Sequence, residues 1–389
     1  MIPSTYAWRS LWVRRASTIA MTAGVALVVF VLAASQMLAN GLRSTLGASG
    51  RDDRAIVLEQ SAYAEANSRL MQSMLGMVAA MPGVKSGADG QLLVTGEVVS
   101  QLQLPSTQHP DRIVSVFVRG VSGNVMSLRP QVRVIDGRVP EPGKDEGMVG
   151  KRLLGRYQGT QLGGAIELKA GRKIPIVGVF EAQGSALESE LWVDLDAMRS
   201  SLGWEGYYSS VTVQLGSKGD FPAFAQELEQ RSLSRAVAEI ETSYYARMSR
   251  RISSMISELG GIVAAIFSFG AMLGAAITMY SSVSQRTKEI GVFRALGFDR
   301  THILQTLLCE TGTVAALGAV MGLGLALALS TFQLSTWNGA TGSQLIFQFE
   351  PTLALALSST CAGTVVGLLG GLWPALAAAR MNPLDALRI

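Results

Sequence analysis

Charge, cysteine and histidine are all scarce in this 389-residue sequence: 16% of residues are charged, and there are two cysteines and two histidines. A soluble domain carries roughly 25% charged residues, so a wholly soluble protein is excluded. Yet 33 Lys and Arg with 29 Asp and Glu are too many for a chain buried entirely in lipid. The cysteines, Cys309 and Cys361, fall inside apolar runs and form no CxxC, which excludes a disulfide framework. His109 sits in a QHPD loop with no cysteine or second histidine to complete a metal site. A GxSxG elbow ahead of a helix, HExxH and the phosphate loop GxxxxGK[ST] are missing too. The expectation is a chain with no catalytic residue, no bound cofactor and no metal.

What is present is long apolar runs. Crossing roughly 30 Å of hydrocarbon takes about 20 apolar residues, and four segments qualify: 17–39, 259–283, 303–332 and 352–376. The first contains GVALVVFVLAA behind Arg14 and Arg15. A cleavable signal peptide is the alternative reading, but signal cores are about 7 to 15 residues, and the longer run favours a retained anchor. Ahead of it, Tyr6, Trp8, Leu11, Trp12 and Val13 mixed with Arg9, Arg14 and Arg15 predict a short interfacial helix over 1–16.

Basic residues set the orientation. Arg9, Arg14 and Arg15 lie before the first span, Arg286, Lys288, Arg294 and Arg300 between the second and third, and Arg380 and Arg388 after the fourth. The short loop 333–351 has none. Both termini and the loop 284–302 are therefore expected in the cytoplasm, and the long segment 40–258 outside, which in a bacterium is the periplasm. These flanks hold nine basic and three acidic residues, so the net charge of +4 reports orientation and the external domain is nearly neutral. A basic stripe interleaved with aromatics is absent, and no nucleic-acid partner is expected.

Glycine pairs at GxxxG spacing let helix backbones approach closely in lipid. They are Gly270 and Gly274, Gly318 and Gly322, Gly363 and Gly367, and Gly367 and Gly371. Their recurrence in three spans predicts a tight bundle that includes a second copy of the chain. Glu310, one or two turns into the third span, is a costly intramembrane carboxylate. It reads as a proton relay or as a structural or coupling group meeting Arg300 or another polar partner, and the second reading is preferred.

The external segment mixes strand and helix patterns. Alternating β-branched residues mark strands at 56–60, from Leu92, from Ile113, from Lys173 and from Ser209. Leu70, Met74, Met77, Val78 and Met81 have helical spacing. Glycine and proline punctuate a β-rich subdomain expected at 122–200. Asp220 and Pro222 suit a helix start. No breaker follows until Gly260 and Gly261, which predicts a stalk over 221–258 entering the membrane; a surface helix that hinges at the glycine pair is the competing reading. Asp145, Glu146, Glu188 and Glu190 read as solvated turn and strand edges rather than a general acid and base.

The loop after the second span reads SQRTKEIGVFRALGFDRTHILQTLLCETG, residues 284–312. Ile290, Val292, Phe293 and Leu296 are assigned to the apolar side of a short helix that Gly297 ends, and Asp299 can cap the next one. Composition leaves open a helix docking in a partner's groove or one lying on lipid. The segment resembles the coupling-helix signature of the FtsX/MacB-type permeases of ABC transporters, the type VII or mechanotransmission class. The C-terminal run GLWPALAAARMNPLDALR, residues 371–388, resembles that family's closing motif, and VIDGRVPEPGKDEGMVGKRLL and IELKAGRKIPIVGVFE are similar to the MacB-like periplasmic core.

The resemblance implies an α-helical membrane protein with four transmembrane helices plus a large α+β extracytoplasmic domain of MacB type. It also implies a permease working as a homodimer with two copies of a cytoplasmic ABC ATPase subunit, ATP and Mg being held by that partner. Lys288, Glu289, Ile290, Gly291, Arg294, Ala295, Leu296 and Gly297 would then lie at the ATPase groove. Localisation would be the bacterial inner membrane. Export through a periplasmic adaptor and outer-membrane duct is the leading function, with mechanical regulation of a cell-wall hydrolase or extraction of lipid or lipoprotein as the alternatives. Gly297-Phe298-Asp299 departs from the family's usual small residue after the glycine, and the external domain exceeds that of FtsX itself.

Overall fold

A computed structural model describes residues 15–381 apart from 88–89, 170, 233–234, 332 and 339–342. Residues 1–14 of the expected N-terminal interfacial helix and 382–388 of the C-terminal motif lie outside the described residues. The chain divides into two compact units: a helical unit made of Met1–Gly41, Ser253–Phe332 and Gln348–Ile389, and an α/β unit made of Leu42–Ile252 and Gln333–Phe347.

Four helices are long and apolar enough to cross a membrane. They are α1 (Arg15–Gly47), α6 (Glu241–Gln285), α8 (Arg300–Ala328) and α9 (Leu353–Ala379), with the short α7 (Thr287–Ala295) between α6 and α8. Small residues set their packing. A Cβ on Gly322 would sit 2.2 Å from the Ala26 carbonyl oxygen, and one on Gly318 2.6 Å from that of Thr22, so α8 lies directly on the α1 backbone. On α9, Gly363 meets Val29, Gly367 meets Ala315, and Gly371 meets Thr311. Gly370, which the GxxxG spacing overlooks, abuts the Met272 carbonyl of α6. Gly270 and Gly274 differ: nothing lies within 4 Å of their added Cβ positions, and they face outward with Ile266, Phe269, Leu273 and Ile277.

The α/β unit is built on a ten-stranded sheet of β1 (Arg54–Glu59), β3 (Val94–Pro105), β4 (Ile113–Val121), β5 (Arg133–Gly137), β6 (Gly147–Gly150), β7 (Ala165–Lys169), β8 (Arg172–Glu181), β9 (Glu190–Asp194), β11 (Ser210–Gln214) and β12 (Ala236–Ile240). The order is β12-β1-β11-β3-β4-β9-β6-β8-β5, with β7 paired to β8. Pairing is antiparallel except for β4 with β9 and β6 with β8. All five segments read as strands are strands, because each offers alternate apolar residues to a buried face. Residues 122–200 do not form a separate sheet; their strands continue the same one, over a second small core around Trp192, Phe180 and Leu187. The methionine-rich helix is α2 (Ser73–Ala79), preceded by β2 (Leu70–Met71), which pairs with β10 (Tyr207–Tyr208).

The stalk differs from expectation at its start, and at its far end follows the continuous reading rather than the hinged one. Helix α5 (Phe221–Ser232) stops, the chain forms β12 against β1, and only then does α6 begin at Glu241. AVAEI can serve as strand or helix, and pairing with the otherwise open edge of β1 decides for strand. At the other end, α6 runs through Gly260 and Gly261 with no hinge. A side chain at 260 would collide with Ser35 of α1, 2.3 Å away, so Gly260 serves close packing. The loop expected at 333–351 contains two strands, β13 (Gln333–Asn338) and β14 (Ser343–Gln348), paired with each other. Ile346 is buried in the core of the α/β unit, its N–H donating to Ser189 Oγ and its carbonyl accepting from Arg152.

Candidate functional site

In the helical unit the turn from α6 to α8 presents α7. Thr287 closes the end of α6 by donating its hydroxyl to the carbonyls of Val283 and Ser284. Ile290 and Gly291 are buried, Ile290 packing among Met279, Val283, Ile303, Leu307 and Ala378. Gly297 takes φ +89°, a left-handed turn that favours glycine. Phe298 then folds edge-on to Phe293, Arg294 donates to the Phe298 carbonyl, and Asp299 caps α8 through the N–H of Arg300.

Lys288, Glu289, Ala295, Leu296 and Gly297 are exposed, and Arg294 is half-buried. The apolar residues do not share one side. Ile290 points into the bundle while Val292 and Leu296, two positions and six positions on, point away from it, Leu296 with 71% of its surface open. A step of two residues turns a helix by roughly 200°, so the four assigned to one side had to divide. The eight residues expected at the ATPase groove thus split into an anchoring pair, Ile290 and Gly291, and a projecting set. Glu310 is buried on α8 and pairs at 3.1 Å with Arg286, not Arg300. Its partner comes from the segment joining α6 to α7, so this carboxylate fixes the base of the turn.

A second cluster, in the α/β unit, was not anticipated. Arg119 on β4 donates through Nε and Nη2 to both oxygens of Glu190 (2.7 and 2.8 Å), and to Glu65 (2.9 and 3.1 Å) and Glu97. Arg129 bridges Glu97 (3.1 Å) and Glu241 (2.9 Å), and Arg54 pairs with Glu241 at 2.7 Å. Trp192 Nε1 donates to Glu190 and Ser210 to Glu65. All seven charged residues are buried. Burial alone would raise the Glu97 carboxyl, but the guanidiniums of Arg129 and Arg119 override it and hold it below its ordinary value. Burial likewise opposes the charge on Arg119, and Glu190, Glu65 and Glu97 more than restore it, raising it well above the usual guanidinium range. On Arg54 burial wins over Glu241 and lowers it.

Glu241 is the first residue of α6, and Tyr244, one turn on, accepts from the Glu65 N–H. A Cβ on Gly50 would lie 2.8 Å from the Glu241 backbone. The root of α6 is therefore held by Arg54 of β1, by Arg129, by the segment around Glu65 and by the chain leaving α1. Two readings from sequence fail here: Glu190 belongs to this cluster, and Glu188 is also buried, accepting from the N–H groups of Ala182 and Gly184 and pairing with Arg152. Asp145 and Glu146, by contrast, make ion pairs near the surface with Arg172 and Arg138. His109 is an exposed loop residue, and no cluster of metal-ligating side chains occurs among the described residues.

Four apolar helices packed through glycine, a short projecting helix between two of them and a mixed α/β domain define a helical membrane protein with a large domain outside the spans, and the family models make its class that of ABC transporter permeases. The model for the MacB-like periplasmic core domain matches residues 16–231 and that for the FtsX-like permease C-terminal region residues 261–383. The chain belongs to the FtsX/MacB-type permease family. It is 27% identical over 236 residues to the ABC transporter permease YknZ of Bacillus subtilis, covering 56% of this chain and 55% of that one. It is 24% identical over 236 residues to an ABC transporter permease of Methanocaldococcus jannaschii, covering 59% and 58%. It is 27% identical over 284 residues to the macrolide export ATP-binding/permease protein MacB of Photorhabdus laumondii, covering 70% and 40%. The chain thus spans about a third to three-fifths of the length of the curated relatives it matches. Among solved structures, the extracellular domain of YknZ matches at a TM-score of 0.35 and 18% identity over 48% of this chain and 99% of that one.

Proposed function

We propose that this chain is the membrane-spanning half of an ATP-driven exporter, acting as a pair of copies with two cytoplasmic ABC ATPase subunits. The observation that carries this reading is the split of α7: one side anchored in the bundle by Ile290, the other presenting Val292 and Leu296, which nothing among the described residues covers. An amphipathic helix held this way fits a partner's groove. ATP and Mg are held by that partner; no phosphate loop occurs within these 389 residues. The outward stripe around Gly270 and Gly274 suits the second copy.

The basic flanks put α7 in the cytoplasm and the α/β unit in the periplasm of a bacterial inner membrane. Closure of the ATPase pair moves α7, and α6, a single helix whose root is locked by Glu241, carries that movement to the α/β unit. A periplasmic adaptor and outer-membrane duct complete the export route, in keeping with a relative named for macrolide export. Replacing Leu296→Asp puts a charge where the groove expects an apolar side chain. Co-purification of the ATPase with the membrane-inserted variant is expected to be lost; undiminished co-purification overturns the coupling assignment.

A further inference from the structure

Away from the buried charge cluster, the α/β unit has an open cleft of about 620 Å³ at the end of β1, beside β2 and α2. That volume lies within the roughly 300–1,000 Å³ of small-molecule sites. Its apolar part comes from Met71, Met74 and Met77, and Met71 leaves 51% of its surface exposed. Its charged part is Arg69, Arg231 and Arg235 against the single carboxylate of Glu59. Two of these side chains are positioned: the Arg69 guanidinium lies 4.6 Å above the Trp204 ring and Arg231 is held by Glu227 at 2.6 Å, while the backbone of Arg235 is fixed by its carbonyl accepting from the Gln60 N–H.

We propose that this cleft binds a free single-chain anionic amphiphile, with its chain on the methionines and its carboxylate or phosphate head among the arginines. Methionine side chains adapt to flexible chains without a fixed shape, and guanidiniums match carboxylate and phosphate in geometry as well as charge. A cationic ligand meets a net positive lining, since three guanidiniums face Glu59 and the Glu227 that holds Arg231, and a wholly polar one leaves the methionine surface wet. The site requires nothing of ATPase coupling and stands or falls separately from it.

The test is methyl NMR on the full chain, labelled at methionine and held in nanodiscs of neutral lipid, titrated with octyl phosphate. Resonances are assigned with Met71→Leu, Met74→Leu and Met77→Leu. Saturable shifts confined to these three methyls are expected, weakened about tenfold by Arg69→Gln and by Arg235→Gln, as loss of one charge-assisted hydrogen bond implies. Unchanged methyl signals elsewhere show that each variant is folded, and Met71→Glu, at an exposed position, should weaken binding by putting a hydrated charge on the surface that takes the chain. Equal shifts with octyltrimethylammonium, equal shifts with inorganic phosphate alone, shifts only with nanodiscs of anionic phospholipid, or affinity indifferent to the arginines would each overturn the proposal.

Discussion

Arg119 receives carboxylates from three separate segments, Glu65, Glu97 and Glu190, in a cluster where four carboxylates face three guanidiniums out of contact with solvent. Desolvating such charges is costly, and removing one partner strands the others, at about 3–5 kcal/mol. Arg119→Met is therefore expected to destabilise the α/β unit by that order, read as a lowered unfolding temperature of the full chain in detergent. The Glu97 carboxyl, held below its ordinary value, stays ionised in the folded state at pH values where the unfolded chain has taken up a proton. Its contribution is complete above the ordinary carboxylate value of about 4.3 and disappears as pH falls through the folded value. Stability should drop steeply below about pH 4, and Glu97→Gln should give a less stable protein with a flatter acid limb. Sequence could not reveal this cluster, because its charged partners lie 22 to 187 residues apart and no local spacing encodes them. Glu190 in particular looks like any strand-edge carboxylate until β9 pairs with β4.

At the scale of elements, periodicity was informative wherever one face alone decided the structure. The apolar spans, the five strands and the methionine helix were legible for that reason. It misled at β12, where five residues suit strand or helix and a distant edge chooses, and at α7, whose apolar residues serve two opposite surfaces. GxxxG spacing found most of the packing glycines but could not tell which face another helix of the same chain. Gly322→Val places methyl groups against the Ala26 carbonyl, where even a Cβ would be 2.2 Å away, so separation of α8 from α1 and a lower unfolding temperature are expected. Gly270→Val meets open space. It should leave the fold of one copy intact and lower self-association, measured by light scattering or crosslinking in detergent. Disruption of the fold by Gly270→Val would contradict the outward assignment of that face.

In the whole molecule, α6 has a projecting helix at one end and a locked root at the other. The chain connectivity that makes this possible was legible from span order; the locked root was not, since it depends on buried pairing. The most direct test places spin labels at position 136, exposed on the α/β unit, in a background lacking Cys309 and Cys361. Distances between the two copies are then measured in the assembled complex with its ATPase, with and without a non-hydrolysable ATP analogue. A nucleotide-dependent change in that distance is expected, abolished by Leu296→Asp. An unchanged distance in a complex that binds nucleotide and hydrolyses ATP would contradict it.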